Sequence, residues 1–340
     1  MEKIDMEKPK IDKLIRDFEN TKYFGYMFFV EYDGQKFESF DENPNKKSVK
    51  SEFRKILEKN KIKIFKGIQQ AGRTDANVSA KENILYINSK EIIAFSKLKF
   101  LETEGMKINK IARTLPFLEF PQMIEKRYYI YEYPKKLRKN DEERINQICN
   151  KVSGKKDFYE FTSEKGKKLK NHTREIFVEY ENGKLYFVGD GFLPQQVRIM
   201  SNFILNNTKF DIEKLNDENF ENRKLGIEDE SLDGKYLTLM KVDFSEKLDK
   251  IIFFDVKNIE ELINLKKNNN EIFEIENSEI KIDDLNEQLK SIDKVRKIER
   301  NSYFTVFFVE KKDKGEFIGK RGKNIRKLKK IFGDIVVKEI

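Results

Sequence analysis

One short segment of this 340-residue chain gathers groups whose chemistry could break or make a bond. Ala71-Gly72-Arg73-Thr74-Asp75-Ala76 joins two short expected strands and brings a glycine, a guanidinium and a carboxylate together. A carboxylate beside a positive charge is held in its ionised form, the form that acts as nucleophile or base. The same residues also fit a plain turn with a solvated Arg73–Asp75 pair, and local chemistry leaves both readings open. A second segment, Phe317-Ile318-Gly319-Lys320-Arg321-Gly322-Lys323-Asn324-Ile325, has a different logic. Its two glycines let a backbone approach phosphates closely, Lys320 and Arg321 add charge, and the amides of a helix starting after Gly322 face the same phosphates. The alternative is a lysine-rich helix with an ordinary glycine turn.

Composition narrows the chemistry. The chain has one cysteine, Cys149, and one histidine, His172. No internal disulfide can form, which fits a reducing cytoplasm, and the common zinc sites and Ser-His or Cys-His nucleophilic catalysis lack their residues. Cys149 falls at an apolar position of a helical run and reads as core. With 69 Lys and Arg against 60 Asp and Glu, the net charge is +9, which favours an acidic partner, nucleic acid above all. Part of that charge is general bias, since Lys, Ile, Asn and Glu are all abundant and lysine is often only solvent cover. No apolar run approaches a membrane span, and the first twenty residues carry none of signal-peptide length.

The elements that must position these groups can be read from periodicity. Residues 1–20 form a charged helix with Ile11, Leu14, Ile15 and Phe18 on one face. Tyr23–Tyr32 is a buried strand closed by the Asp33-Gly34 turn. Ser48–Asn60 is an amphipathic helix with Ser48 as N-cap and Val49, Phe53, Ile56 and Leu57 inward. Short strands Ile62–Phe65 and Ile84–Ile87 flank the polar loop Gln69–Ser79. Then follow a strand at Arg127–Tyr133, a helix at Asp141–Val152, a hairpin about Asn182-Gly183, a helix at Phe192–Leu205 and a strand at Tyr236–Phe244. Beyond the polar run Lys266–Asn270 come a charged helix at Asp283–Arg300, a strand at Tyr303–Val309, the glycine loop with its basic helix, and a strand at Ile335–Ile340. Strands are both adjacent and separated by helices, so the class is α+β.

In this setting, Gly72-Arg73-Thr74-Asp75-Ala76 resembles the catalytic loop of the TruA-type tRNA pseudouridine synthases. Tyr32-Asp33-Gly34 resembles that family's opening turn, Arg127-x-Tyr129-x-Tyr131 its basic-x-Tyr-x-Tyr strand, and Phe192-Leu193 with Val197-Arg198-x-Met200 its Phe-Leu-x-x-x-Val-Arg-x-Met helix. The four motifs stand in the family's order within residues 23–245. The resemblance implies a two-lobed synthase with a mixed, largely antiparallel sheet and flanking helices, the lobes being 21–125 and 126–248. It implies uridine isomerisation in structured RNA, tRNA in particular, after the target base leaves its stack, with no cofactor and no metal. Asp75 would be the catalytic carboxylate, Arg198 the guanidinium that keeps it ionised, and Tyr129 the residue on the uracil. Arg73 would fill the space the base vacates, and Arg127 would contact RNA. Tyr128 lies next to Tyr129 on the other face of a strand; the spacing from Arg127 favours Tyr129. A homodimer is implied as well.

The chain departs from the family after the aspartate. Asn77 stands where glycine is usual and can accept positive φ; Ser79 stands where histidine is usual. Ser39-Phe40-Asp41 replaces Gly-Trp-Gln, the Ala-Arg-Phe segment before the tyrosine strand is missing, and glycines of the last helix are replaced, by Asn202 for one. These changes motivate an alternative, a non-catalytic RNA-binding protein or RNA chaperone that keeps the fold. Convergence of Asp75, Tyr129 and Arg198 on one cleft distinguishes the enzyme. The C-terminal loop resembles the KH signature Ile-Gly-x-x-Gly-x-x-Ile, which implies an RNA-binding domain over 283–340, joined through 249–282, with Gly319, Lys320, Arg321, Gly322 and Lys323 on RNA. Lys327, Lys329 and Lys330 extend the basic face. Further elements must precede the core, as in the type II arrangement.

Overall fold

The computed structural model describes residues 23–91, 93, 98–114, 116, 118, 120–245, 278–279, 294–300, 305–332 and 335–340. The expected N-terminal helix, residues 283–293 and the 249–282 segment apart from Ser278–Glu279 lie outside them.

Strand β1 (Phe24–Tyr32) is apolar along nearly its whole length because both its faces are covered. Helix α1 (Val49–Lys59) lies over one of them, where the ring of Phe53 meets Phe28 edge-on at 5.1 Å. The helix starts at Ser48 because the Ser48 and Ser51 hydroxyls reciprocally accept each other's backbone N–H at 3.0 Å. Losing such a cap typically costs about 0.5–2 kcal/mol. Next come β2 (Ile64–Gln70), β3 (Ser79–Ser89), β4 (Glu102–Thr103) and β5 (Met106–Thr114), then β6 (Ile124–Tyr131), α2 (Glu142–Val152), β7 (Gly154–Asp157) and α3 (Glu164–Lys167). The lobe closes with the hairpin β8 (Thr173–Glu181) and β9 (Lys184–Gly189), α4 (Gln196–Asn206), α5 (Asp217–Glu221) and β10 (Leu237–Phe244). Asn182 and Gly183 form the hairpin turn with φ of 49° and 82°, the left-handed region that an Asn-Gly pair enters easily.

These ten strands form one sheet in the order β4-β5-β1-β3-β10-β6-β9-β8-β7, with β2 on β3. Pairings are antiparallel except β10 with β3. That parallel seam joins the two halves of the sheet. It sets Leu239 beside Ala80 on one side and beside Tyr129 on the other, so the polar loop and the tyrosine strand meet there.

Two of the elements that differ from the sequence expectation do so for one physical reason. Strand β5 lies where periodicity marks no element, and Val295–Arg300, expected as the end of a helix, is strand β12. A bulge shifts the β1–β5 register between Phe29 and Val30, and another lies between Val295 and Lys297. An extra residue breaks the two-residue alternation. In β12 it puts buried Val295 and Ile298 three apart, a helical spacing on a strand.

The C-terminal unit pairs β11 (Ser278–Glu279), β12, β13 (Thr305–Val309) and β14 (Ile335–Glu339) in that order, with β13 and β14 parallel. Helices α6 (Lys314–Ile318) and α7 (Lys323–Phe332) connect those two strands. Phe307, Phe317, Leu328 and Phe332 form its core, while Val306 belongs to the hydrophobic core of the large sheet. Strand alternation therefore turns one face of β13 to its own helices and the other to the body of the molecule.

Candidate active site

The loop between β2 and β3, residues 71–78, is fixed from every side. At its start the Ala71 N–H donates to Ile84 O at 2.9 Å. Asn83, fully buried at the start of the apolar run of β3, then grips the Gly72 backbone twice: its Oδ1 accepts from Gly72 N at 3.1 Å and its Nδ2 donates to Gly72 O at 2.7 Å. The same Nδ2 donates to Tyr32 Oη at 3.1 Å, and the Tyr32 hydroxyl pairs with Thr74 Oγ1 at 2.8 Å. Burial pushes the Tyr32 phenol up to about 12 against these hydrogen bonds, so it stays neutral.

Two glycines press on the far end of the loop. A Cβ on Gly34 would sit 2.2 Å from Val78 C, and one on Gly234 would sit 2.5 Å from Ala76 O. Such distances admit no side chain, which explains the glycine of Tyr32-Asp33-Gly34 by packing. The departures from the family pattern serve the same end. Asn77 takes φ of 65°, as its tolerance of the left-handed region allowed, and the Ser79 hydroxyl accepts from Gly34 N at 3.0 Å.

Asp75 projects from this loop into a cavity of about 330 Å³, and Tyr129 and Arg198 line the same cavity. Arg198 Nη1 lies 3.2 Å from Asp75 Oδ2. Its Nε donates to Leu232 O at 2.6 Å, so the guanidinium is held at one end while it orients the carboxylate at the other. The Tyr129 ring is buried edge-on against Phe192 at 5.3 Å, and burial raises its phenol above the ordinary tyrosine value. A phenol held neutral packs or donates a hydrogen bond; it is a poor reservoir of base. Tyr128 faces the other way, donating to Asp243 and lying under Lys241 Nζ at 4.2 Å.

Arg73 stands at the cavity rim, 56% exposed, with Nε 3.2 Å from Asp41 Oδ2. Asp41 comes from the segment that replaced Gly-Trp-Gln. Arg127, expected on RNA, donates to Ala71 O at 3.1 and 3.0 Å and to the carbonyls of Pro121, Ile124 and Asp190. A half-buried guanidinium must have its donors met, and here meeting them ties the tyrosine strand to the start of the loop. In the C-terminal loop, Gly319 and Gly322 take φ of 75° and 71°, and Lys320, Lys323 and Lys327 are exposed. The side chains of Arg321 and Lys330 lie outside the described ones.

Sequence reasoning missed Lys165 and Gln195 on the cavity, and the supports Asn83 and Gly234. Gln195 sits at φ 61° immediately before α4, a strained position for a non-glycine residue at a cavity wall. Asn83 stands between the polar Lys81-Glu82 and the apolar run Ile84–Ile87, and nothing local in the sequence marks it. Cys149 is buried in the core, and burial pushes its thiol up to about 12. His172 is buried with Nε2 3.1 Å from Gly166 O. Among the described residues there is no cluster of metal-ligating side chains and no helix long and apolar enough to cross a membrane.

No family model matches the chain. A solved H/ACA RNP bound to a substrate RNA overlaps at 12% identity with 73% of this chain and 55% of its own, but its TM-score of 0.27 is too low to indicate a shared fold. Sequence comparison is more informative. The tRNA pseudouridine synthase A of Streptococcus pneumoniae is 27% identical over 224 residues, which cover 56% of this chain and 87% of that protein. That of Streptococcus uberis is 29% identical over 212 residues, 53% and 82% of the two chains. The chain is likewise similar to the tRNA pseudouridine synthase A of Oceanobacillus iheyensis, 29% identical over 206 residues that cover 52% of this chain and 79% of the relative.

Proposed function

We propose that this protein is an RNA pseudouridine synthase in which Asp75 is the catalytic carboxylate and tRNA the substrate. The reaction breaks the N1–C1′ bond of uridine, turns the base and forms C5–C1′, with the C5 proton lost and N1 protonated. It is an isomerisation, so no oxidant, reductant or leaving group has to be supplied. The observation that carries this reading is the convergence of Asp75, Arg198 and Tyr129 on one cavity. Arg198, 3.2 Å away, holds the carboxylate toward the cavity. Tyr129 and Phe192 give the base an aromatic wall. The target uridine must leave its stack to arrive, and Arg73 at the rim is placed to fill the gap. Two of the departures that motivate the non-catalytic alternative have a structural use, since Asn77 takes the left-handed turn and Ser79 accepts from Gly34 N.

The C-terminal unit we read as a KH-like RNA-binding domain of type II. Support comes from the parallel β13–β14 pair spanned by two helices, from the preceding β11 and β12, and from the glycine pair at positive φ before the basic α7. KH modules clamp about four nucleotides through such a loop. The test of the catalytic assignment is turnover of unmodified tRNA transcripts by the purified protein. Asp75→Asn should abolish pseudouridine formation and leave RNA affinity within a few-fold; turnover at the wild-type rate would remove Asp75 from the chemistry.

A further inference from the structure

A second cavity, of about 530 Å³, lies beside the first. Arg73, Tyr129 and Phe192 border both, so the two share a wall, and Arg73 stands where they meet. Gln122, Asn171 and Arg174 line the second cavity and not the first. Three guanidinium groups, those of Arg73, Arg127 and Arg174, face it against one carboxylate, Asp190.

Three of these charges are committed elsewhere. Arg73 is paired with Asp41 at 3.2 Å. Arg127 is spent on backbone carbonyls, and Asp190 Oδ1 accepts from Glu175 N at 3.1 Å. Arg174 is different. Only its Nη1 is used within the fold, donating to Asn171 O at 3.4 Å and Thr173 O at 2.7 Å. Its Nε faces Gly191, where even a Cβ would come within 3.5 Å, and no carboxylate lies within ion-pair distance among the described residues. Its charge also acts on the neighbouring Arg127, whose guanidinium burial already holds below the usual arginine value. The Asp190 carboxylate offsets part of the repulsion between the two guanidiniums, and an anion arriving at Arg174 offsets more of it. The amides complete the pattern: Asn171 Oδ1 accepts from Thr173 N at 2.9 Å, which leaves its Nδ2 as a donor toward the cavity.

We infer that the second cavity is a subsite for the ribonucleotide adjacent to the target uridine, with Arg174 on its phosphate and the amides of Asn171 and Gln122 on its base edge. The inference rests on the synthase reading and deepens it. While uridine occupies the Asp75 cavity and Arg73 divides the strand, the neighbouring nucleotide occupies the space on the other side of Tyr129 and Phe192. Arg174 is thus a binding residue that touches the substrate away from the reacting atoms.

The experiment uses the full chain and an unmodified tRNA transcript in which wild-type protein forms pseudouridine at a mapped position. Arg174→Gln should weaken RNA affinity roughly tenfold, the scale of one charge-assisted contact, and leave kcat near wild type. The salt dependence of log Kd should become shallower by about 0.7, one single-strand phosphate contact; Arg174→Lys should restore that slope. A second measurement needs no variant of Arg174. RNAs lacking the base on one side of the target or the other are compared, and one of them should bind wild type less tightly while Asn171→Ala causes no further loss on it. Wild-type affinity and salt slope for Arg174→Gln, or equal binding of both base-deleted RNAs, overturns the subsite and leaves the synthase reading standing. Absence of pseudouridine with wild-type protein on every transcript overturns the synthase reading, and the subsite with it.

Discussion

The two glycine-containing loops of this molecule are built in opposite ways. Residues 71–78 are packed from all directions: Asn83 on the Gly72 peptide, Tyr32 on Thr74, Arg127 on Ala71 O, and Gly34 and Gly234 against the backbone of Ala76–Val78. Residues 319–322 have space around them. A Cβ on Gly322 would meet nothing within 4 Å, and one on Gly319 would meet only the Asn324 side chain, at 2.8 Å. Glycine in the first region is demanded by protein atoms already in place. At Gly322 it is demanded by φ and leaves room for atoms that arrive later. On the proposed reading, a carboxylate that must meet one bond at one angle needs the first design, and a backbone that grips a flexible strand of varied sequence needs the second.

The sharpest way to break that contrast is to add one methyl group in each loop environment. Gly34→Ala forces Val78 to move, and a displacement near 1 Å at Asp75 should lower turnover by about a hundredfold with a clear loss of thermal stability. Gly322→Ala puts its methyl group in open space but on a backbone at φ 71°, so it should cost about 1–2 kcal/mol, the penalty of a left-handed alanine, and its functional effect should appear in RNA affinity with turnover at saturating RNA unchanged. Equal losses of turnover from both would erase the distinction. Lys320→Asp with Arg321→Asp sharpens it from the other side. Affinity for RNA should fall and its salt slope should flatten by about 0.7 for each single-strand phosphate that is no longer neutralised, with turnover at saturating RNA unchanged. A fall in saturating turnover would mean that the C-terminal unit helps to order the Asp75 cavity.

Tyr32→Phe is a finer probe, because it removes one hydroxyl and keeps the ring. Turnover should drop severalfold, the scale of one buried hydrogen bond, with RNA affinity unchanged. The pH profile of stability carries the smallest effect. Burial favours the neutral Tyr32 phenol, so its folded value of about 12 exceeds the ordinary 10. Its contribution is therefore complete below pH 10 and is lost as pH rises toward 12, on the order of 2 kcal/mol. In Tyr32→Phe the alkaline decline between those values should be shallower, and an identical decline would show that other groups govern it.

Much of this architecture is legible in the chain. Local rules operate at Ser48, at Asn182-Gly183 and along β1, where a cap, a turn and an apolar run each determine their own surroundings. The loop carrying Asp75 and the helix carrying Arg198 could be located for the same reason. What could not be read depends on partners far along the chain. The bulges in β5 and β12 are set by the strands opposite them and hide alternation from a one-dimensional scan. The carbonyls of Ala71 and Asp190 that close on Arg127 come from 56 and 63 residues away. Lys165 and Gly234 acquire meaning only when β10 is inserted between β3 and β6.

The most direct test of the central claim is transcriptome-wide mapping of pseudouridine in cells with this protein, without it, and without it but supplied with the Asp75→Asn form. Specific uridines, in tRNA on the present reading, should carry the modification with the intact protein, lose it on deletion and remain unmodified with Asp75→Asn. Recovery of those sites by Asp75→Asn, or an identical pseudouridine map with and without the protein, would contradict it.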